Sequence, residues 1–208
     1  GYRGQLRRSL FVLPLNELGA GAGSTQGGEK ARPGGAMRLV IQRCSAASVV
    51  VSEAVVGQIE RGLVAFVGIE PRDTLDDVNW CAKKLANVKL FPALDASRPW
   101  KTSAKDRDFG ILLVSQFTLF CRLKGNKPDF KGAAKAAAAS ELFDSLVTAV
   151  RSEHGGSPAS VATGEFGAMM AVSVNGDGPV TITLDSQDVG FPRKHAPPAA
   201  AAAAEAAP

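Results

Sequence analysis

A chain of 208 residues, 45% hydrophobic and 21% charged with a net charge of +4, reads as one globular domain or a domain with tails. No apolar run approaches the ~20 residues that a membrane-spanning helix needs. The three cysteines (Cys44, Cys81, Cys121) are odd in number and lack C-x-x-C spacing, and the histidines are His154 and His195. That composition argues against a disulfide framework, a zinc site and a histidine-based metal cluster, and the expectation is a reducing, cytoplasmic compartment with no metal and no cofactor.

Residues 1–36 are rich in Gly, Ser and Pro and are expected to be disordered; Arg3, Arg7 and Arg8 give them a faint likeness to a transit peptide. The first methionine is Met37, and strand-like sequence begins there, with strands expected at 39–41, 47–51, 55–59 and 63–69. Asp73 or Thr74 is placed to cap a helix whose apolar face is Leu75, Val78, Cys81, Leu85 and Val88, at helical spacings of three and four. A polar loop at 93–109 leads into a strand over 110–121, and a turn-rich loop follows at 125–130. An Ala-rich helix over about 133–151 presents Leu142, Phe143, Leu146, Val147 and Val150, and the Gly and Pro residues after His154 stop it. Two strands, 169–174 and 180–184, are joined through Asn175-Gly176-Asp177-Gly178-Pro179. Beyond Ser186 the chain turns Pro- and Ala-rich, so 187–208 reads as a disordered tail and 37–186 as the single folded domain. Its elements make an α+β fold.

The stretch that organises this domain is 110–120. Gly110 to Val114 leave no solvent-facing side chain, which fits a strand buried on both faces, and then Ser115, Gln116 and Thr118 interrupt the apolar run. Polar groups on a central strand need partners, because burying one unpaired costs ~1–3 kcal/mol. Either neighbouring backbone satisfies them or they face a ligand. Residues 98–135 hold nine basic residues (among them Arg98, Lys101, Arg122 and Lys127) against Asp106, Asp108 and Asp129. Clustered positive charge beside a polar-lined strand suits phosphates, although such runs are commonly a solvated face. Phosphate-loop, dinucleotide and H-E-x-x-H motifs are missing. Asp73, Asp76 and Asp77 read as helix capping, and His154 as a surface residue, not a base.

Ser115-Gln116-Phe117-Thr118-Leu119 and Gly178-Pro179-Val180-Thr181 carry a resemblance to the D-aminoacyl-tRNA deacylase family. Local matches at 37–43, at 125–130, at Thr163-Gly164-Glu165-Phe166 and at Met170 agree, so the resemblance spans 37–186. One departure is that Gly176 stands where the family has Asn; glycine tolerates the φ > 0 that Asn favours in turns.

The resemblance implies a small β-barrel-like sheet with two main packed helices, active as a homodimer. The implied reaction is hydrolysis of the ester joining a D-amino acid, or glycine, to the 3′-terminal adenosine of tRNA. Gly178-Pro179 is then expected to be cis and to enter the partner subunit's pocket, where its backbone rejects L substrates; Arg43 braces that loop, and Phe166 and Met170 line an adenine pocket. Ser115, Gln116, Phe117 and Thr118 form the catalytic stretch, with backbone N–H groups near Gln116 and Phe117 facing the oxyanion. Two agents remain open for the chemistry: the ribose 2′-hydroxyl, favoured by the family account, and Thr118 as nucleophile. The rival from another class is an RNA-binding module that grips an acceptor end without catalysis.

Overall fold

One strand of fourteen residues, β1 (Arg38–Val51), runs where two were expected. Its two halves are each paired on both edges, and β8 follows the strand past two register shifts near Arg43 and Ser45, so the polar middle does not break it. The computed structural model describes residues 35–157 and 160–187, so the expectations for 1–34 and for the chain beyond 187 lie outside the described residues. A two-residue turn, Ser52-Glu53, with φ of 48° and 66°, returns the chain into β2 (Ala54–Ile59), antiparallel to the outer half of β1. Positive φ at both central residues matches the twist of a hairpin. β3 (Gly62–Gly68) then pairs with the inner half of β1, from Arg38↔Gly68 to Cys44↔Gly62.

Helix α1 (Leu75–Asn87) starts at Thr74, not Asp73: the Thr74 amide and hydroxyl both donate to Asp77 Oδ2 at 2.9 Å. Val78, Cys81 and Leu85 face the core as expected, but Leu75, in the first turn, is exposed. The loop at 93–109 contains a short helix, α2 (Ala104–Arg107), capped by Ser103 Oγ. β4 (Gly110–Ser115) lies parallel to β3, and a 3₁₀ turn (Phe117–Phe120) follows. A small hairpin, β5 (Arg122–Lys124) and β6 (Lys127–Asp129), precedes α3 (Ala136–His154). β7 (Val161–Thr163) runs parallel to β4, and β8 (Ala171–Asp185) pairs antiparallel along almost all of β1. The two strands expected at the end are therefore collinear halves of β8.

Across the sheet the order is β7, β4, β3, β1, β8, with β2 taking over β1's edge beyond β3. The sheet curls until β2 approaches β7, giving the nearly closed, barrel-like α+β arrangement. Alternation then sorts the side chains. Leu63, Ala65, Val67, Ile111 and Leu113 pack on α1 and α3 through Leu85, Phe143 and Leu146. Val64, Leu112 and Val114 point into the barrel with Val49 and Ile59. This is why 110–114 carries no polar residue: both faces of β4 are core.

Closure depends on Gly57, where a Cβ would collide with the Thr163 carbonyl of β7. Gly57→Ala is expected to cost about 1–3 kcal/mol, the range for overpacking a filled site. Urea denaturation checks it, and an unchanged midpoint would show that the β2–β7 seam is slack.

Candidate active site

The stretch 110–120 is a strand only as far as Ser115. Gln116 N–H makes the last ladder bond, 2.7 Å to Val67 O, and then adopts φ −146°, ψ 81°. β3 ends at Gly68 and β7 pairs only with Ile111 to Leu113, so no neighbour can extend the ladder. The chain coils instead into the 3₁₀ turn, and Thr118 sits on that turn. A turn leaves its first amides unpaired, and the Phe117 and Thr118 N–H groups have no acceptor among the described residues. The Gln116 amide is already committed to Val67, which narrows the expected donors to Phe117 and Thr118. The Gln116 side chain donates from Nε2 to Thr118 Oγ1 at 2.6 Å, the one hydrogen bond of that hydroxyl among the described residues.

Beside this turn opens a cavity of about 460 Å³. Ser115, Gln116 and Phe117 line it together with Val67, Ile69, Phe130, Phe166 and Gly167. Ala133 and Ala134, just ahead of α3, and Ala136 and Ala139 in its first turn complete it. The alanine run had signalled only a helix; its small side chains are also what leave the space. Phe117 and Phe130 meet edge to face with centroids 5.2 Å apart, and Phe166 leans on Phe143 at 5.8 Å. Phe130 was missed as a lining residue, and its place in a turn-rich loop gave no warning. Met170 lies outside this lining, packed on the barrel core beside Gly164. No lining residue is titratable.

Gly178 and Pro179 lie elsewhere. Between Gln42↔Thr181 and Cys44↔Gly176 the β1–β8 ladder skips, so residues 177–180 bulge out opposite Arg43 alone. The Gly178-Pro179 peptide is cis, as expected. Arg43 braces the bulge: Nε donates to Asp177 O at 3.3 Å and lies 3.2 Å from Asp177 Oδ2, while Nη1 donates to Leu90 O at 2.7 Å. Arg61 Nη2 reaches the same carboxylate at 3.3 Å. Gly178 has φ +128°, and a Cβ there would stand 2.8 Å from Val180 N. Gly176 differs from expectation. It uses no positive φ, pairs with Cys44 in the ladder, and has open space around its Cβ position.

The register separates the two loci. Arg43 pairs with Leu63 near the start of β3, whereas Ser115 pairs with Val67 near its end. Four residues of strand span about 13 Å.

His154, expected at the surface, is 4% exposed. Its Nε2 donates to Phe109 O at 2.9 Å and its Nδ1 accepts the Gly156 amide at 3.2 Å, so the ring ties the end of α3 to the start of β4. It is neither a surface residue nor a base for the cavity. Of the nine basic residues in 98–135, only Lys124 forms an ion pair among the described residues, with Asp129 at 2.6 Å.

A pocket with backbone donors at its edge and no acid or base in its lining suits a hydrolase for an acyl group that is already activated. Comparison with known proteins gives the family. Residues 40–185 match the family described as D-Tyr-tRNA(Tyr) deacylase. The D-aminoacyl-tRNA deacylase of Yarrowia lipolytica is 43% identical over 153 residues, 73% of this chain and 99% of the relative. That of Drosophila melanogaster is 41% identical over 152 residues, 73% of this chain and 94% of the relative. A solved structure named c-Myc DNA Unwinding Element Binding Protein matches with TM-score 0.66 at 37% identity, over 71% of this chain and 97% of that one. In fold alone, a probable eukaryotic D-amino acid tRNA deacylase matches with TM-score 0.64 at 18% identity, over 72% of this chain and 99% of that one. The chain belongs to the D-aminoacyl-tRNA deacylases, hydrolases that cleave the aminoacyl-tRNA ester bond.

Because the Gly176 position is open and its backbone ordinary, Gly176→Asn is expected to leave stability within about 0.5 kcal/mol and deacylation within twofold. A larger change in either would show that this glycine adapts the neighbouring bulge.

Proposed function

We propose that this protein hydrolyses the ester between a D-amino acid, or glycine, and the 3′-terminal adenosine of tRNA, and that it excludes L-aminoacyl esters with the Gly178-Pro179 backbone of a second copy. The observation that carries the hydrolytic reading is the Phe117 amide at the cavity lining and the Thr118 amide next to it on the turn, both without an acceptor among the described residues. The ester carbonyl oxygen sits against them, so charge developing there as water adds is met by fixed donors. The terminal ribose 2′-hydroxyl activates the water; the C–O3′ bond breaks and the 3′-oxygen takes a proton. Phe166, with Phe117 and Phe130, holds the adenine by stacking. The unpaired lysines and arginines of 98–135 attract the tRNA backbone. Three free cysteines support a cytoplasmic location, where aminoacyl-tRNA is consumed.

The register supports a homodimer. A chain whose own Gly-Pro bulge lies about 13 Å of strand from its own cavity completes the site with the bulge of another copy. A wall of backbone rejects the L configuration whatever the side chain, which suits an enzyme that must accept many amino acids. A module that binds tRNA without cleaving it shares every electrostatic feature, and following ester loss from D-Tyr-tRNA and L-Tyr-tRNA separates the two readings. Loss from the D ester alone is expected; loss from neither would sink the enzymatic reading.

Gly178→Ala forces a Cβ against Val180 N at a φ that L residues rarely adopt. Deacylation of D-Tyr-tRNA should fall at least tenfold, or L-Tyr-tRNA should become a substrate. Unchanged rates on both would remove this loop as the chiral filter.

Thr118 Oγ1 is engaged by an amide that cannot take its proton. Thr118→Ala is therefore expected to keep deacylation within about tenfold, whereas a tRNA ending in 2′-deoxyadenosine should stall by several orders of magnitude. Single-turnover kinetics on the four combinations decide it. A well-folded but inactive Thr118→Ala, together with a deoxy substrate still turned over, would make Thr118 the nucleophile.

Residues 37–186 are proposed as the whole functional unit. A chain trimmed to them should deacylate like the full chain and run as a dimer in light scattering; an active monomer would refute the shared site.

A further inference from the structure

Residues 35–37 lie in a polar niche that the deacylation reading leaves unused, walled by the first turn of α1 and the end of β8. Asp73 is 8% exposed; its Oδ2 accepts the Glu70 amide at 2.8 Å, while its Oδ1 is buried without a hydrogen-bond partner. Asp77, equally buried, accepts from Thr74 on one oxygen and from Ser186 Oγ at 2.8 Å on the other. No lysine or arginine pairs with either carboxylate among the described residues. The Met37 amide points at Asp73 and the Gly35 amide at Asp77, and the Ser186 amide donates to Met37 O at 2.9 Å. Gly35 presses so closely on Asp73 that a Cβ there would have no room.

Two adjacent buried carboxylates without a cation are an incomplete arrangement, since buried charges are ordinarily paired. Burial, aided by Asp77 and Glu70, pushes Asp73 up to about 7. We propose that this niche is the receptor for a primary ammonium group, the free α-amino terminus of a chain that begins at Met37. The nitrogen is already in position, and an ammonium brings three donors where the amide has one, enough for Asp73 Oδ1 with a share for Asp77. The Met37 side chain is fully buried, so the residue itself has to remain. Relatives that align over 97–100% of their length span 153 residues of this chain, so a domain of this extent is a complete protein there. Either initiation at Met37 or proteolytic removal of the preceding residues generates the terminus.

The groups facing Asp73 are Glu70 on the preceding loop and Asp77 and Cys81 on α1; Asp185 of β8, which faces Cys81, is paired with Arg38. The two forms therefore differ in pH dependence. In the full chain the folded value of Asp73 lies above its unfolded one, so its contribution is complete below about 4 and is lost as pH rises through about 7. In the chain beginning at Met37 the ammonium lowers Asp73, whose contribution is then present at neutral pH and lost on acidification. The ammonium itself is raised above its ordinary value of about 7.7–8.0, and its contribution fades only as pH rises through the raised value.

The test compares three proteins: the full chain, residues 37–208 with a free amine, and the same chain acetylated at Met37, each with and without Asp73→Asn. Urea midpoints at pH 7.5 and NMR titration of the α-amine are the readouts. The free amine should titrate at least one unit above its ordinary value, and acetylation should lower the midpoint. Asp73→Asn should destabilise the free-amine form while leaving the other two unchanged or raising their midpoints. An amine titrating at its ordinary value, equal midpoints for free and acetylated forms, or a Met37-initiated chain that does not fold would each overturn the proposal. The acetylation comparison needs no substitution, so it stands even if Asp73→Asn fails to fold.

Discussion

The shared strand β1 is the constraint on which everything else in this protein depends. Its inner half pairs with β3, its outer half with β2, and nearly its whole length with β8 on the other side. A strand committed on both edges cannot slip by one residue without turning Leu39, Ile41 and Val49 away from their cores. The register that results puts the Gly178-Pro179 bulge near one end of β3 and the Ser115–Thr118 segment at the other. Separation of the bulge from the cavity is thus a consequence of sheet geometry.

Two different kinds of support hold the two loci. Asp177, which carries the bulge, is fixed by charge: Arg43 is only 15% exposed, reaches all three oxygens of that residue and also binds the Leu90 carbonyl. A guanidinium suits this task because its donors lie in one rigid fork. The turn at Phe117 and Thr118 is fixed by backbone and packing instead, with its entry tied to Val67 and its exit anchored by the buried Phe120. The alanines and phenylalanines of the lining supply shape without a titratable group.

His154 and Asp73 show how little a residue type says before its surroundings are known. By sequence the histidine stood at a helix end beside glycines and read as surface, yet α3 delivers it beneath β4, where both ring nitrogens are consumed in holding backbone. The aspartate read as a cap, yet Thr74 takes that position and leaves Asp73 with a buried, unmatched oxygen. In both cases the deciding partners are distant in sequence or belong to backbone whose course no local pattern encodes.

By itself the sequence determined what neighbouring residues can encode. The apolar run at 110–114 dictated a strand buried on both faces; the spacing of Val78, Cys81 and Leu85 dictated the face of α1; and the motif residues carried the family and its cis Gly178-Pro179 peptide. Tertiary structure alone decided where β4 stops, because a strand ends where its partners end, and β3 runs out at Gly68. It also decided that 39–41 and 47–51 fall in one strand, that Ala171–Asp185 is one bulged strand and not a pair, and that the Phe117 and Thr118 amides have no acceptor among the described residues. These are long-range outcomes. Hydrogen-bond pairing across a sheet joins residues more than a hundred positions apart, and no local periodicity records which edge will be occupied.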